Sequence, residues 1–93
     1  LPIQKAERIK KIKELETISK KQKSTQIFME TPYRNLKLFD DIINVCQSST
    51  KLCIAADIGL EEQYIKTNTI IGWKKIQPDI HKHPAVFLIF SES

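Results

Sequence analysis

The segment Glu30-Thr31-Pro32-Tyr33-Arg34 brings four kinds of reactive side chain into one short stretch. It supplies a carboxylate, a hydroxyl, a phenol and a guanidinium directly after the apolar run Ile27-Phe28-Met29. The apolar run predicts the end of a buried strand, and a helical pattern begins near Leu36. Ligands of open α/β sheets gather outside the carboxyl ends of strands, so we expect a binding site at this junction.

A second carboxylate, Asp57, follows another apolar run at residues 52–56. The two runs and the helical pattern between them span about thirty residues, which is the size of a βαβ unit with parallel strands. Glu30 and Asp57 are therefore expected at one edge of the sheet, where paired carboxylates could perform acid–base chemistry. The residues alone favour the alternative, that both carboxylates cap loops or helix N-termini.

The segment contains three further residues with expected roles. Arg34 is spaced to pair with Glu30 across one turn, or to hold a phosphate or carboxylate group, and both interpretations stay open. Thr31 is expected to cap the following helix, and Pro32 to occupy its first position, where proline is well tolerated.

The elements that position these residues follow from hydrophobic periodicity. We predict the order α-β-α-β-β-(α)-β in one domain, with an α/β fold: a small mixed β-sheet with flanking helices. The predicted spans are a helix over 3–22, strands over 25–29, 52–56, 63–70 and 85–90, a second helix that begins at Pro32 and has its buried face at residues 36–46, and one helical turn over 71–76 with Trp73 packed inward. Residues 77–84 are expected to form a loop.

The side chains expected to be buried in the two long helices come from the same patterns. In the first helix an apolar residue recurs at every third position, which we interpret as one docking seam: Ala6, Ile9, Ile12, Leu15 and Ile18. In the second helix the expected buried face consists of Leu36, Phe39, Ile42, Ile43 and Cys46.

Charge is distributed unevenly along the 93 residues. Residues 1–23 carry eight Lys or Arg and three Glu, a balance of +5, whereas the whole chain carries +4. Such asymmetry indicates either a polyanionic partner or, as the favoured alternative, a solvated helix face. No window of eighteen apolar residues occurs, so no membrane span and no membrane partner are predicted. The chain begins with Leu1 rather than Met, which we interpret as the start of a fragment of a longer protein.

Metal and redox chemistry receive little support from the sequence. Cys46 and Cys53 have neither zinc-ligand nor CxxC spacing, so we predict reduced core thiols in a cytoplasmic protein, with a disulfide as the less favoured alternative. His81 and His83 alternate, but a zinc site needs a third ligand, and an exposed loop is favoured. No metal is therefore predicted.

Nucleotide-cradle motifs are absent from the sequence. Gly59 and Gly72 are the only glycines, and no GxGxxG, Walker or nucleophile-elbow motif occurs. Trp73 next to Lys74 and Lys75 could stack on a base, although a core position is favoured.

Taken together, Leu1-Pro2, the basic helix and the string Gln26-Ile27-Phe28-Met29-Glu30-Thr31-Pro32-Tyr33-Arg34 resemble the second domain of the tetrapyrrole-methylase-like (class III) methyltransferases. The resemblance is greatest to the branch that includes the ribosomal RNA small subunit methyltransferase I, whose motif is Glu-Ser-Pro-His-Arg. Glu30, Pro32 and Arg34 match that motif, while Thr31 replaces Ser and Tyr33 replaces His. The weaker matches are residues 52–58, the segment 62–73 and residues 84–88.

The resemblance implies an S-adenosyl-L-methionine-dependent methyltransferase acting on ribosomal RNA at a cytidine ribose 2′-oxygen. It implies that the chain is the C-terminal domain (1–93), that its own N-terminal domain carries the cofactor loop, and that the enzyme is a homodimer. Among the residues, Glu30 is implied as a catalytic base. Tyr33 and Arg34 are implied as substrate contacts, and Ala55, Asp57 and Ile58 as cofactor contacts.

Two alternatives remain open at this point. Within the same enzyme class, the substrate could be a tetrapyrrole such as a precorrin. Outside it, the chain could be a non-catalytic basic RNA-binding module or a dimerisation module.

Overall fold

The structure, a computed structural model, describes residues 4–57, 59, 61, 63–76, 78, 80 and 83–91. Seven elements lie in this part of the chain, in the predicted order. The helices are α1 (Lys5–Gln22), α2 (Asn35–Val45) and α3 (Ile70–Trp73), and the strands are β1 (Gln26–Met29), β2 (Lys51–Ala56), β3 (Tyr64–Thr69) and β4 (Ala85–Phe90). The predicted bounds of β4 agree with the structure, and the other predicted strand bounds differ by one residue.

The four strands form one sheet in the order β1-β4-β2-β3. Each neighbouring pair is antiparallel, so β1 and β2 run in the same direction although they do not touch. The α/β class with flanking helices and the parallel orientation of β1 and β2 are confirmed. The strand pairing is not mixed as expected, because β4 returns between the two parallel strands and pairs with both.

The helices pack on one face of this sheet. Alternate strand residues point toward them and join the apolar side chains of α1, α2 and α3 in one core, among them Phe28, Leu52, Ile54, Phe87 and Ile89. Trp73 is fully buried in this core, as predicted, and its indole N–H donates to the Leu52 carbonyl at 2.8 Å. Phe39 meets the Trp73 ring edge-on, with centroids 5.7 Å apart.

The predicted seam of α1 is wrong at its two ends. Ile12 is fully buried and Leu15 packs against the core, but Ala6 and Ile18 are exposed and Ile9 is only partly covered. A step of three residues turns about 300° around an α-helix, so a stripe with this spacing drifts around the helix instead of staying on one side.

The residues of α1 that do face the protein include two polar ones. They are spaced by four, three and four positions: Arg8, Ile12, Leu15 and Ser19. Arg8 is buried because its guanidinium lies 2.6 Å from the Asp41 carboxylate on α2, and both side chains are 7% exposed. This ion pair links α1 to α2.

Helix α2 begins at Asn35, three residues later than the position predicted for Pro32. Residues 31–34 form a turn instead, closed by the Arg34 N–H, which donates to the Thr31 carbonyl at 2.9 Å. Proline at the second position of a turn explains why the helix does not start there. The predicted buried face of α2 is confirmed for Phe39, Ile42 and Cys46, while Leu36 and Ile43 are partly buried.

We expect the Arg8–Asp41 pair to be sensitive to the loss of one partner. Asp41→Asn removes the carboxylate that lies 2.6 Å from a buried guanidinium and should lower the free energy of unfolding by about 3 kcal/mol in urea titrations. Asp40→Asn, a change at the neighbouring exposed position, should stay within about 0.5 kcal/mol of the wild type.

The double variant Arg8→Met/Asp41→Leu completes this test. It replaces the ion pair by apolar side chains and should be more stable than Asp41→Asn alone. Equal losses for Asp41→Asn and Asp40→Asn would show that the pair does not hold the helices together.

Candidate functional site

The predicted edge of the sheet contains a cleft that holds both carboxylates. Because β1 and β2 are parallel, Glu30 and Asp57 leave the sheet on the same side, and both line a cleft of about 420 Å³. The remaining lining is aliphatic and comes from the ends of three strands and the turn: Met29, Pro32, Ala55, Pro84, Ala85 and Val86. The expectation that Glu30 and Asp57 meet at one edge is confirmed.

The segment 30–34 folds back on itself. The Thr31 N–H donates to Glu30 Oε1 at 2.8 Å, and the Arg34 guanidinium lies 3.2 Å from the same oxygen. Arg34 Nε also donates to the Thr31 hydroxyl at 3.2 Å. The Glu30–Arg34 pair, one of the two interpretations left open, is therefore formed, and Thr31 contributes its hydroxyl to Arg34 rather than to a helix cap.

This network occupies only one oxygen of Glu30. Its side chain is 3% exposed, and no described protein group donates to Oε2, which is buried. A buried acceptor without a donor costs about 1–3 kcal/mol, so it is a position where a ligand's N–H or O–H would be stabilising. Glu30 is thus held at the cleft with one free lone-pair site.

Asp57 is paired with a residue that sequence reasoning assigned to an exposed loop. His83 Nδ1 lies 2.8 Å from Asp57 Oδ2, with the Asp57 side chain 15% and the His83 side chain 46% exposed. Asp57 has φ 53° and its N–H donates to the Pro84 carbonyl at 3.1 Å. The end of β2 is thereby tied to the segment that enters β4.

Asn35 holds the same segment from the other side. This fully buried side chain at the start of α2 donates from Nδ2 to the carbonyls of Ile80 and His83, the latter at 2.7 Å. The His83 N–H donates in turn to the Ile80 carbonyl at 3.0 Å. The backbone that carries the His83 imidazole is therefore fixed by α2 and by β2.

The other predicted site residues divide into three groups. Ala55 lines the cleft together with Asp57. Tyr33 is 73% exposed and is not part of the cleft lining, so the turn presents its phenol to solvent. Ile58 lies outside the described residues, as does His81.

Arg34 also borders a second concavity, between α1 and α2. This groove of about 410 Å³ is lined by Lys5, Arg8, Arg34, Lys37, Asp40 and Asp41. Lys5 and Lys37 are exposed, so two ammonium groups line the same groove as the guanidinium that contacts Glu30. The groove therefore places positive charge next to the turn 31–34.

The sheet face opposite the helices is largely apolar, with Lys51, Thr67 and Thr69 as its polar residues, and no described helix packs on it. It continues directly from the cleft, since Met29 and Val86 belong to both. The cross-strand register places eight apolar residues on it: Ile27, Met29, Cys53, Ala55, Ile65, Val86, Leu88 and Phe90. We call these eight residues the open face. Met29, Ile27 and Ile65 are 66%, 61% and 56% exposed.

The two cysteines lie in different environments and are not bonded to each other. Cys46 is buried in the core, and burial, reinforced by Glu16, raises the pKa of its thiol well above the ordinary value. Burial also raises the pKa of Tyr64 on β3. Cys53 lies half-buried on the open face. The prediction of a core thiol is confirmed for Cys46 and only in part for Cys53.

Within the described ranges, no group of three or more His, Cys, Asp and Glu residues could hold a metal ion. The same part of the chain has no helix long and apolar enough to cross a membrane. Comparison of the sequence with models of known protein families and with curated proteins finds no match.

Sequence reasoning missed the contact of Asp57 with His83, and it missed Asn35. The signal that could have found the pair is antiparallel register. Ala56 faces Ala85 across β2 and β4, so the residue after β2 and the residues before β4 must lie side by side. Asn35 carries no comparable signal, since its two acceptors are carbonyls of a loop about 45 residues away in sequence.

Proposed function

We propose that the chain is the second domain of an S-adenosyl-L-methionine-dependent methyltransferase that acts on a hydroxyl of ribosomal RNA. The observation that carries the proposal is that Glu30 lines the cleft while its buried Oε2 has no donor among the described residues. It belongs to the segment whose residues resemble the class III motif. An acceptor of this kind is what a substrate hydroxyl needs for orientation during transfer.

The cleft suits group transfer for two physical reasons. Its aliphatic lining limits water near the reacting atoms, and its two carboxylates favour a ligand with positive charge, as a sulfonium cofactor has. The cofactor would supply the methyl group. Ala55 and Asp57 would contact it, while Glu30 Oε2 would accept the hydrogen bond of the substrate hydroxyl.

The open face supports the presence of a further domain of the same protein. Four strands about 4.8 Å apart and about 20 Å long give a face of roughly 400 Å². Two such faces together match the roughly 600–1,500 Å² of interfaces between domains of one chain, and fall below the roughly 1,200 Å² of stable complexes between separate proteins. We therefore assign the open face to the N-terminal domain implied by the resemblance. The implied homodimer would need additional contact area.

The basic groove between α1 and α2 supports RNA as the substrate class. Lys5, Arg34 and Lys37 border it, and α1 with its C-cap carries further exposed lysines outside the groove: Lys10, Lys11, Lys13, Lys20, Lys21 and Lys23. Phosphate contacts by such side chains steer a polyanion and position it without reading its sequence. Tyr33, exposed beside the groove, would then stack on an unpaired base. A ribosomal substrate and reduced thiols accord with a cytoplasmic location.

The central test is the substitution Glu30→Gln in the longer protein. It removes the negative charge but keeps the size of the side chain, so methyl transfer to small-subunit ribosomal RNA should fall on the order of 10²-fold in kcat, with the thermal midpoint little changed. Glu14→Gln, at an exposed position on α1, is the matched control. Unchanged transfer by Glu30→Gln would refute the assignment of this residue.

Thiol chemistry tests the assignment of the open face. In the 93-residue chain Cys53 should react with a maleimide at neutral pH, while the buried Cys46, with its raised pKa, should stay protonated and react only on unfolding. In the longer protein Cys53 should be protected at least tenfold. Equal labelling of Cys53 in both proteins would show that the open face remains uncovered.

The alternative of a non-catalytic RNA-binding module is favoured by one observation, the basic groove, and is tested on the chain itself. Lys5→Ala/Lys37→Ala should weaken binding of single-stranded RNA and lower the slope of log K against log salt by about 1.4. The control Lys20→Ala/Lys21→Ala removes the same charge at the other end of α1. If the isolated chain binds RNA with micromolar affinity, the alternative of an RNA-binding module is favoured. If both double variants weaken this binding equally, the RNA site does not lie in the groove.

A further inference from the structure

The Asp57–His83 contact determines which imidazole nitrogen carries a proton. Asp57 Oδ2 is a hydrogen-bond acceptor, so the nitrogen 2.8 Å away, Nδ1, must be the donor. In the neutral imidazole the other nitrogen, Nε2, then holds a lone pair. A carboxylate that orients a histidine in this way is the arrangement by which enzymes prepare a general base.

Both partners of the contact are held in place by the backbone around them. Asp57 lies in the left-handed region at φ 53° and donates to the Pro84 carbonyl, while Asn35 and Ile80 fix the backbone of His83. The contact therefore does not depend on a bound ligand, and it persists because two separate elements enforce it.

The position of the pair relates it to Glu30. Asp57 and Pro84, the neighbour of His83, line the cleft in which Glu30 Oε2 is unpaired. The Glu30 side chain is 3% exposed and its other oxygen is engaged, so a proton delivered there has no direct way out to water. The His83 side chain does not line the cleft but contacts Asp57, which does, and it is 46% exposed, so an imidazolium there can release its proton to solvent.

We propose that Asp57 and His83 form a proton-accepting dyad for the reaction of this cleft, with His83 as a catalytic residue and Asp57 as its positioning residue. This inference rests on the proposed function. Glu30 Oε2 orients the substrate hydroxyl, and His83 Nε2 takes its proton. The hydroxyl oxygen bonds to the methyl carbon while the carbon–sulfur bond of the sulfonium breaks, which leaves a methyl ether, a neutral thioether and an imidazolium. The imidazolium, stabilised by the Asp57 carboxylate, then loses its proton to water.

The tautomer of His83 tests the dyad without any reaction. In the 93-residue chain with His81→Gln, so that one imidazole is observed, ¹⁵N shifts of the neutral ring should report the Nδ1–H tautomer. Asp57→Gly removes the carboxylate and tolerates the positive φ, and it should return the ring toward the Nε2–H tautomer that free imidazole prefers. A predominant Nε2–H tautomer before the substitution would overturn the dyad.

The variant His83→Asn separates the proton-accepting role from a structural one in the longer protein. Asparagine keeps an N–H donor where Nδ1 lies, so it retains the contact with Asp57, but it lacks Nε2. We expect kcat to fall at least tenfold, with KM for RNA within about twofold and an unchanged thermal midpoint. Wild-type kcat in His83→Asn would refute the dyad and leave the methyltransferase proposal standing. If the unmodified longer protein transfers no methyl group, the methyltransferase proposal is refuted. The proton transfer to His83 is then refuted as well, whichever tautomer His83 has.

Discussion

The pairing of β4 with both β1 and β2 is the constraint on which the site depends. The two parallel strands each end in a carboxylate, and β4 enters the sheet from the opposite direction between them. The start of β4 therefore meets the ends of both strands at one edge. This arrangement brings His83 and Pro84, near the end of the described chain, into contact with Asp57 and next to the cleft of Glu30. A β4 added at the outer edge of β1 would have left His83 beside the end of β1 and apart from Asp57.

The same insertion gives the sheet two different faces. Helices cover one face, where the apolar side chains form the core, while alternate apolar residues of all four strands form the open face. Strands that are apolar on both sides are typical of sheets covered on both sides. Contiguous exposed apolar surface on this scale is where interaction sites of soluble proteins are often found. The continuity of the open face with the cleft, through Met29 and Val86, means that whatever covers the face also forms a wall of the cleft.

The sequence predicted much of the fold because the apolar runs are short, distinct and separated by turn residues. Strand β4, the inward packing of Trp73 and the meeting of Glu30 with Asp57 all followed from local pattern and from the handedness of strand–helix–strand units. Two of the failures have a common cause, which is that polar side chains were assigned by their own hydrophilicity. Arg8 belongs to the segment for which a solvated helix face was favoured, and His83 to the segment expected to be an exposed loop. Each is held by an acid from a distant element, at sequence separations that periodicity does not report.

The turn 31–34 shows how a motif can be structural and functional at once. The ion pair with Arg34 and the Thr31 N–H both engage Oε1 of Glu30, so the internal network that stabilises the turn also immobilises the carboxylate. If those donors were shared between the two oxygens, the carboxylate would be satisfied and would have nothing to offer a ligand. Because both donors bind Oε1, the buried Oε2 has no hydrogen-bond donor among the described residues. A pair formed only for stability gains nothing from leaving an acceptor unsatisfied, since that costs free energy. The unequal pairing of the two oxygens is explained if an N–H or O–H group of a ligand donates to Oε2. On this interpretation the ion pair with Arg34 holds the carboxylate in position for that ligand.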